Sequence, residues 1–165
     1  MGYGNYLWAT SRKKWVKKPG KKIKGCIFCG IAREDPDVPA MVIYKDSSVM
    51  VIMNIFPYNV GHIEVVPVRH VVNIEDLNEE EFLHFFKTIK KSLGMLRKAL
   101  EPKGFNIGFN LNESSGASIA HLHAQIVPRY DRDAGFMEVT SDTKVMSESL
   151  DQTFKRIKKH AGMLK

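Results

Sequence analysis

His121-Leu122-His123-Ala124-Gln125, running on as Ile126-Val127-Pro128-Arg129, decides how the rest of the chain is read. His121, His123 and Gln125 alternate with Leu122, Ala124 and Ile126. A side-chain period of two predicts a half-buried strand over 120–128 with three polar groups on one face. At roughly 3.3 Å per residue, alternate groups lie roughly 6.6 Å apart and the set spans roughly 13 Å, which suits a substrate with a chain of charged groups such as a polyphosphate. A strand also holds a reactive side chain more rigidly than a loop does. Two histidines at this spacing fit a plain solvated edge strand equally well, so the surroundings have to decide. Just upstream, Asn110-Leu111-Asn112-Glu113-Ser114-Ser115-Gly116-Ala117-Ser118 is a polar loop of mostly small residues. Such loops offer backbone N–H groups and hydroxyls to phosphate.

Working outward, Phe105 to Leu111 reads as a strand. Before it, Phe82, Phe85, Phe86, Ile89, Leu93 and Leu96 recur at helical spacing and predict a long helix over 78–101 with a buried stripe, stopped by Pro102 and Gly104. Strands are predicted over 41–44, 49–53 and 62–67, with turns at Asp46-Ser47-Ser48 and Pro57-Tyr58-Asn59-Val60-Gly61. A short helix begins at Cys29 to Arg33 and ends at Asp35-Pro36-Asp37, and spaced apolar residues over 147–162 give a C-terminal helix. Five or six strands with one long helix make an α+β domain on a mainly antiparallel sheet.

The 165 residues, 44% of them hydrophobic, predict one domain with its own core. No run approaches the ~18 apolar residues of a transmembrane helix, and the N-terminus lacks the apolar stretch of a secretory signal. The expectation is a cytoplasmic protein with no membrane partner. Two cysteines do not make a disulfide scaffold. The formal charge of +7 is unevenly placed: Arg12, Lys13, Lys14, Lys17, Lys18, Lys21, Lys22 and Lys24 fall within residues 1–24, which hold no acid, leaving 17 basic against 18 acidic residues elsewhere. The expected organisation is a basic arm over 1–24, a domain over 25–140 and a helical extension over 141–165. The arm is either a solvated segment or one that draws in an anionic substrate or nucleic acid by long-range charge. Trp8 and Trp15 either stack on bases or dock the arm.

The motif resembles the histidine-triad sequence His-x-His-x-His with glutamine in third place. Residues Asn54 to His70 resemble that superfamily's strand pair, and Cys26-Ile27-Phe28-Cys29 matches its N-terminal element, in the same order across residues 6–138. His-x-His-x-Gln is the form of two transferase branches, the galactose-1-phosphate uridylyltransferases and the diadenosine polyphosphate phosphorylases. Leu7-Trp8-Ala9 and the stretch Arg129 to Met137 resemble the short, phosphorylase-type members. The resemblance implies a HIT-like α+β fold, a homodimer, and cleavage of diadenosine tetraphosphate by inorganic phosphate to ADP and ATP through a nucleotidyl-histidine.

The resemblance gives His123 the nucleophile's role, which a neutral imidazole oriented through its other ring nitrogen can perform. Gln125, with His121 the other flanking member of the motif, cannot shuttle a proton but can steady a non-bridging phosphate oxygen. The intermediate is therefore expected to wait for an ionised phosphate acceptor rather than water. Ser118 and the backbone at Gly116 match phosphate-holding positions, and Ala117 stands where hydrolases often carry glutamine. Asn54 matches the position that binds ribose hydroxyls, with Asn110 as a support. Ile27, Phe28, Ile31, Ile52 and Ile55 map to a base pocket, although Ile52 fits the core equally well.

The Cys26-x-x-Cys29 spacing suits two thiolates on one zinc, or a redox pair, although no thioredoxin-like pattern surrounds it. Two cysteines leave a tetrahedral site incomplete. The resemblance supplies His70 and His121, and a Cys2His2 set would be closed and structural. His62 reads as a supporting group, and His84 and His160 as solvent-facing helix residues. The alternatives are a related transferase with another acceptor, a dinucleotide or nucleoside-phosphoramidate hydrolase that Gln125 argues against, and a nucleotide- or nucleic-acid-binding protein using the basic arm.

Overall fold

The computed structural model of the chain describes residues 5–7, 25–131 and 133–165. Most of the basic arm, including Trp8 and Trp15, lies outside these residues. In chain order the elements are β1 (Asn5–Leu7), α1 (Ile27–Ala32), β2 (Met41–Lys45), β3 (Val49–Met53), β4 (Ile63–Pro67), α2 (Glu79–Leu100), β5 (Gly104–Phe109), β6 (Ala124–Arg129), α3 (Phe136–Ser141), β7 (Thr143–Val145) and α4 (Leu150–Lys158). Five strands form one antiparallel sheet in the order β2-β3-β4-β6-β5, and β1 pairs in parallel with β7. The fold is α+β, as the sequence pattern predicts.

The long helix forms where its caps and its stripe coincide. Asn78 Oδ1 accepts from the Glu81 N–H at 2.9 Å, and Glu81 Oε2 accepts from the Asn78 N–H at 3.1 Å, a reciprocal cap that satisfies two orphan donors. Three glutamates in the first turn and Arg97 and Lys98 in the last complement the helix dipole. Glu101 closes α2 in the left-handed region at φ 53°, and Pro102 cannot continue it. The buried stripe is Phe85, Thr88, Ile89, Ser92, Met95, Leu96 and Leu100. Each of its large apolar members contributes roughly 1.5–3 kcal/mol by leaving water. Phe82, expected in that stripe, is instead exposed and packs on Phe86 with ring centroids 4.5 Å apart.

Burial on both faces of β3 and β4 fixes the layers. Val49, Val51, Met53, Ile63, Val65, Ala124 and Ile126 point to α2 and α4, while Met50, Ile52 and Val66 point to α1. The tail joins the first of these cores: Leu150 and Ile157 of α4 and Leu164 beyond it are buried there, and Lys158 Nζ donates to the carbonyls of Val42 and Ile43 at 2.8 Å. On the opposite side, Lys45 Nζ caps the C-terminus of α1 through the Ala32 carbonyl at 2.6 Å. No helix among the described residues is long and apolar enough to cross a membrane.

The turn into β4 depends on Gly61, whose φ is +81°. A Cβ there would collide with Leu100 Cδ1 and press on Pro128 Cγ. Gly61→Ala is expected to destabilise the fold by about 2–4 kcal/mol, combining left-handed strain with overpacking. Urea unfolding of the two proteins measures this, and equal stabilities would sink the expectation.

Candidate active site and metal cluster

The sheet face opposite α2 carries the polar groups, because alternation places them there. Glu64 on β4 pairs in register with Ile52 on one side and Gln125 on the other. Gln125 in turn faces Gly108 on β5. Asn54 follows β3 and reaches across to Glu64, its Nδ2 donating to Oε1 at 2.8 Å. Asn54, Glu64, His123 and Gln125 all line one cavity of about 290 Å³.

His123 is buried, and its Nδ1 lies 2.9 Å from the His121 carbonyl oxygen. A carbonyl only accepts, so Nδ1 carries a proton, and the neutral tautomer that fits this contact has its lone pair on Nε2. The Phe28 ring sits 5.2 Å from the His123 ring and limits its tilt. His62 lies beneath, fully buried, with Nδ1 accepting from the Tyr58 N–H at 3.2 Å and Tyr58 stacked on its ring. Burial, with a smaller contribution from His123, pulls the His62 pKa down to about 3, so it stays neutral.

The expected base-pocket residues Ile27, Phe28, Ile31, Ile52 and Ile55 form the apolar wall of the cavity. Ile52 is also a core residue, packed with Phe28 and Val66. Asn110, Gly116, Ala117 and Ser118 close the opposite rim. That rim is shaped by a turn over Glu113–Ser115, by Gly116 at φ +87°, and by Ser115 Oγ donating to the Leu111 carbonyl at 2.8 Å. Asn110 Nδ2 donates to the Gly116 carbonyl at 3.4 Å.

Three features differ from the sequence pattern. The strand begins at Ala124, because the N–H groups before it bond elsewhere: His121 to the Ile119 carbonyl and Leu122 to the Val71 carbonyl. His84 is not a free surface group, since its Nε2 sits 2.9 Å from Asp46 Oδ2. Glu64 was not singled out from the sequence, yet it is 8% exposed and its burial pushes its pKa up to about 7, against the opposing Asn54 bond. Its signal was an acid at a position sharing the parity of Ile52 and Val66, inside an otherwise apolar strand.

His121 turns away from the cavity. Its ring enters a cluster with Cys26, Cys29 and His70, whose ligating atoms all lie within 4.8 Å of one another. Cys26 Sγ is 3.3 Å and Cys29 Sγ 3.7 Å from His121 Nδ1, and Cys29 Sγ is 3.3 Å from His70 Nδ1. Sulfur and nitrogen on one tetrahedral zinc are about 3.6 Å apart, given bond lengths of about 2.3 and 2.0–2.1 Å. His121 Nε2 donates to the Pro67 carbonyl at 2.9 Å, which leaves Nδ1 as a lone-pair donor aimed at the thiols. Burial lowers the His121 pKa to about 4, keeping the ring neutral. α1, with Cys26 at its N-cap, supplies both thiols beside the segment before β6 that supplies His121.

The sequence pattern of the HIT domain matches residues 35–132. A Mycobacterium tuberculosis protein named AP-4-A phosphorylase is 36% identical over 118 residues, 71% of this chain and 60% of that protein. The chain thus spans less than two thirds of the length of that relative. An uncharacterised HIT-like protein of Methanocaldococcus jannaschii is 36% identical over 133 residues, 81% of this chain and 98% of that one. Among solved structures, a zinc-bound histidine triad family protein of Mycobacterium smegmatis superposes with a TM-score of 0.69 at 25% identity, covering 84% of this chain and 94% of that one. A HIT family member of Bacillus subtilis gives 0.62 at 33% identity, covering 68% and 79%. With the domain pattern spanning most of its length and the antiparallel sheet in place, the chain belongs to the HIT domain family.

Proposed function

We propose that the protein is a nucleotidyltransferase that cleaves dinucleoside polyphosphates by phosphorolysis. The observation that carries this reading is the pairing of His123, oriented through Nδ1, with Gln125 rather than a third histidine in the same cavity. The 36% identity to a relative named AP-4-A phosphorylase supports it.

In this reading His123 Nε2 attacks the α-phosphorus of diadenosine tetraphosphate. A P–N bond forms, the bond to the bridging oxygen breaks, and ATP leaves as an anion that needs no proton. The His121 carbonyl stabilises the positive charge on the imidazole through Nδ1–H. An oxygen of inorganic phosphate then attacks the same phosphorus, the P–N bond breaks, and ADP departs. Gln125 donates to a non-bridging oxygen as charge builds. The Ser118 hydroxyl and N–H hold the phosphates, on a rim folded by the Gly116 and Ala117 N–H bonds to the Glu113 and Asn112 carbonyls and braced by Asn110. Ile27, Phe28, Ile31, Ile52 and Ile55 enclose the base, and Asn54 lies at the ribose.

Cys26, Cys29, His70 and His121 would hold zinc in a closed set, whose contribution is structural. His121 then acts as a positioning residue, through the carbonyl that holds His123. A cytoplasmic homodimer belongs to the same proposal, with the exposed Phe82 and Leu83 of α2 as an apolar face. Incubation with diadenosine tetraphosphate should give ADP and ATP only when phosphate is present. AMP and ATP without phosphate would identify a hydrolase instead.

A further inference from the structure

The reaction as written leaves one buried carboxyl unused. Glu64 stands on the cavity floor beside Gln125, in a strand whose other members are all buried and apolar or proline. A carboxylate in such a place costs stability unless its lone pairs are satisfied. Among the described residues one hydrogen bond reaches it, from Asn54 Nδ2 to Oε1. Asn54 is itself committed at both ends of its amide, since its oxygen accepts from the Phe56 N–H at 2.7 Å. A ribose diol brings two O–H donors and needs two acceptors. The Asn54 oxygen already takes a donor, whereas the Glu64 carboxylate is acceptor-only, with lone pairs on both oxygens to spare.

We propose that Glu64 is the specificity-determining residue of the nucleoside subsite: its carboxylate accepts from the 2′- and 3′-hydroxyls of the ribose, Asn54 is the positioning residue that fixes it, and the pocket thereby selects ribonucleotides over deoxyribonucleotides. The proposal rests on the nucleotide reading of this pocket. Hydroxyl bonds to an ionised carboxylate are short and about twice as strong as neutral ones. Two such bonds replace the water that an ionised Glu64 otherwise needs, in a position where burial opposes its charge. The carboxylate also orients the ligand by repulsion. Phosphates are turned away from Glu64 and toward the rim at Ser118, so a reversed nucleotide is disfavoured as well as the correct one favoured.

The test is calorimetric titration of the full chain with AMP, 2′-deoxy-AMP and 3′-deoxy-AMP at pH 8. AMP is expected to bind at least about tenfold more tightly than either deoxynucleotide, the loss that one charge-assisted bond represents. In Glu64→Gln, where one oxygen acceptor becomes a donor, that preference should shrink to within about twofold. Glu64→Leu leaves an apolar group in a buried position and provides a second, well-folding variant with the same expected collapse. Equal binding of AMP and the deoxynucleotides by the natural protein overturns the proposal, as does a preference that survives in both variants, which would leave Glu64 at most a packing group. Failure of the natural protein to bind any of the three overturns this assignment and the nucleotide reading together. A Glu64-dependent preference without phosphorolysis supports the assignment and removes only the reaction.

Discussion

His123→Ala is expected to lower kcat/KM for phosphate-dependent cleavage of diadenosine tetraphosphate by at least about 10⁴-fold, because the covalent route disappears with the nucleophile. AMP affinity should change little, since Phe28, Asn54 and Glu64 line the nucleoside end of the cavity independently of the imidazole. The split between these two readouts is what identifies a nucleophile. A residue that merely shaped the pocket would weaken both together. The decisive companion measurement is trapping: the natural protein mixed with substrate in the absence of phosphate should accumulate an acid-labile, base-stable adduct of one nucleotide per chain, and the variant none. An adduct that persists in His123→Ala would move the nucleophile elsewhere. Gln125→His sharpens the argument, because a group able to carry a proton beside His123 should increase the share of turnover that ends in water. If that share stays constant, Gln125 does not control the choice of acceptor.

The residues behind this expectation were unequally legible. Alternating polar positions just after a small-residue loop drew attention to His121, His123 and Gln125, and it was the resemblance to the histidine-triad motif that gave His123 the nucleophile's role. The helix over Glu79–Leu100 was equally plain, since capping residues and an apolar stripe of one period coincide there. The direction of His121 was harder to read. Alternation puts it on the face of His123, but the chain before Ala124 bonds to Ile119 and Val71 rather than to a sheet neighbour, and the ring turns to the thiols. Glu64 escaped because its meaning is a matter of register: only when β4 is aligned between β3 and β6 does it stand between Ile52 and Gln125, and single-strand periodicity carries no such alignment. The pair of β1 with β7 was invisible for the same reason, its two members being 3 residues long and far apart in the chain. The convergence of Cys26 and Cys29 on His70 and His121 was suggested by resemblance rather than by spacing, since the cluster spans 95 residues of sequence.

Removing metal should have the second largest effect, and through two readouts at once. The four candidate ligands come from α1 and its N-cap, the segment after β4 and the segment before β6, so an ion bound there would tie three separate pieces of chain. Ligand binding to the folded state alone stabilises it by about 4 kcal/mol when the free ion is at about 1,000 times its Kd. For a domain of this length each kcal/mol moves Tm by about 2–4 °C, so a chelator should lower Tm by roughly 8–16 °C. Cys26→Ser should lose stoichiometric zinc and give the same lower Tm without chelator. The second readout follows from His121, whose ring belongs to the cluster and whose carbonyl holds the Nδ1 proton of His123. Loosening that ring frees the carbonyl, so kcat should fall further than nucleotide affinity, although no ligand of the cluster lines the cavity. Zinc content by elemental analysis, thermal unfolding and turnover can be followed on one preparation. A protein that purifies without zinc, melts at the same temperature in chelator, and keeps full turnover as Cys26→Ser would show that the four side chains need no ion. A lowered Tm with unchanged kcat would keep the ion but break the link from His121 to His123.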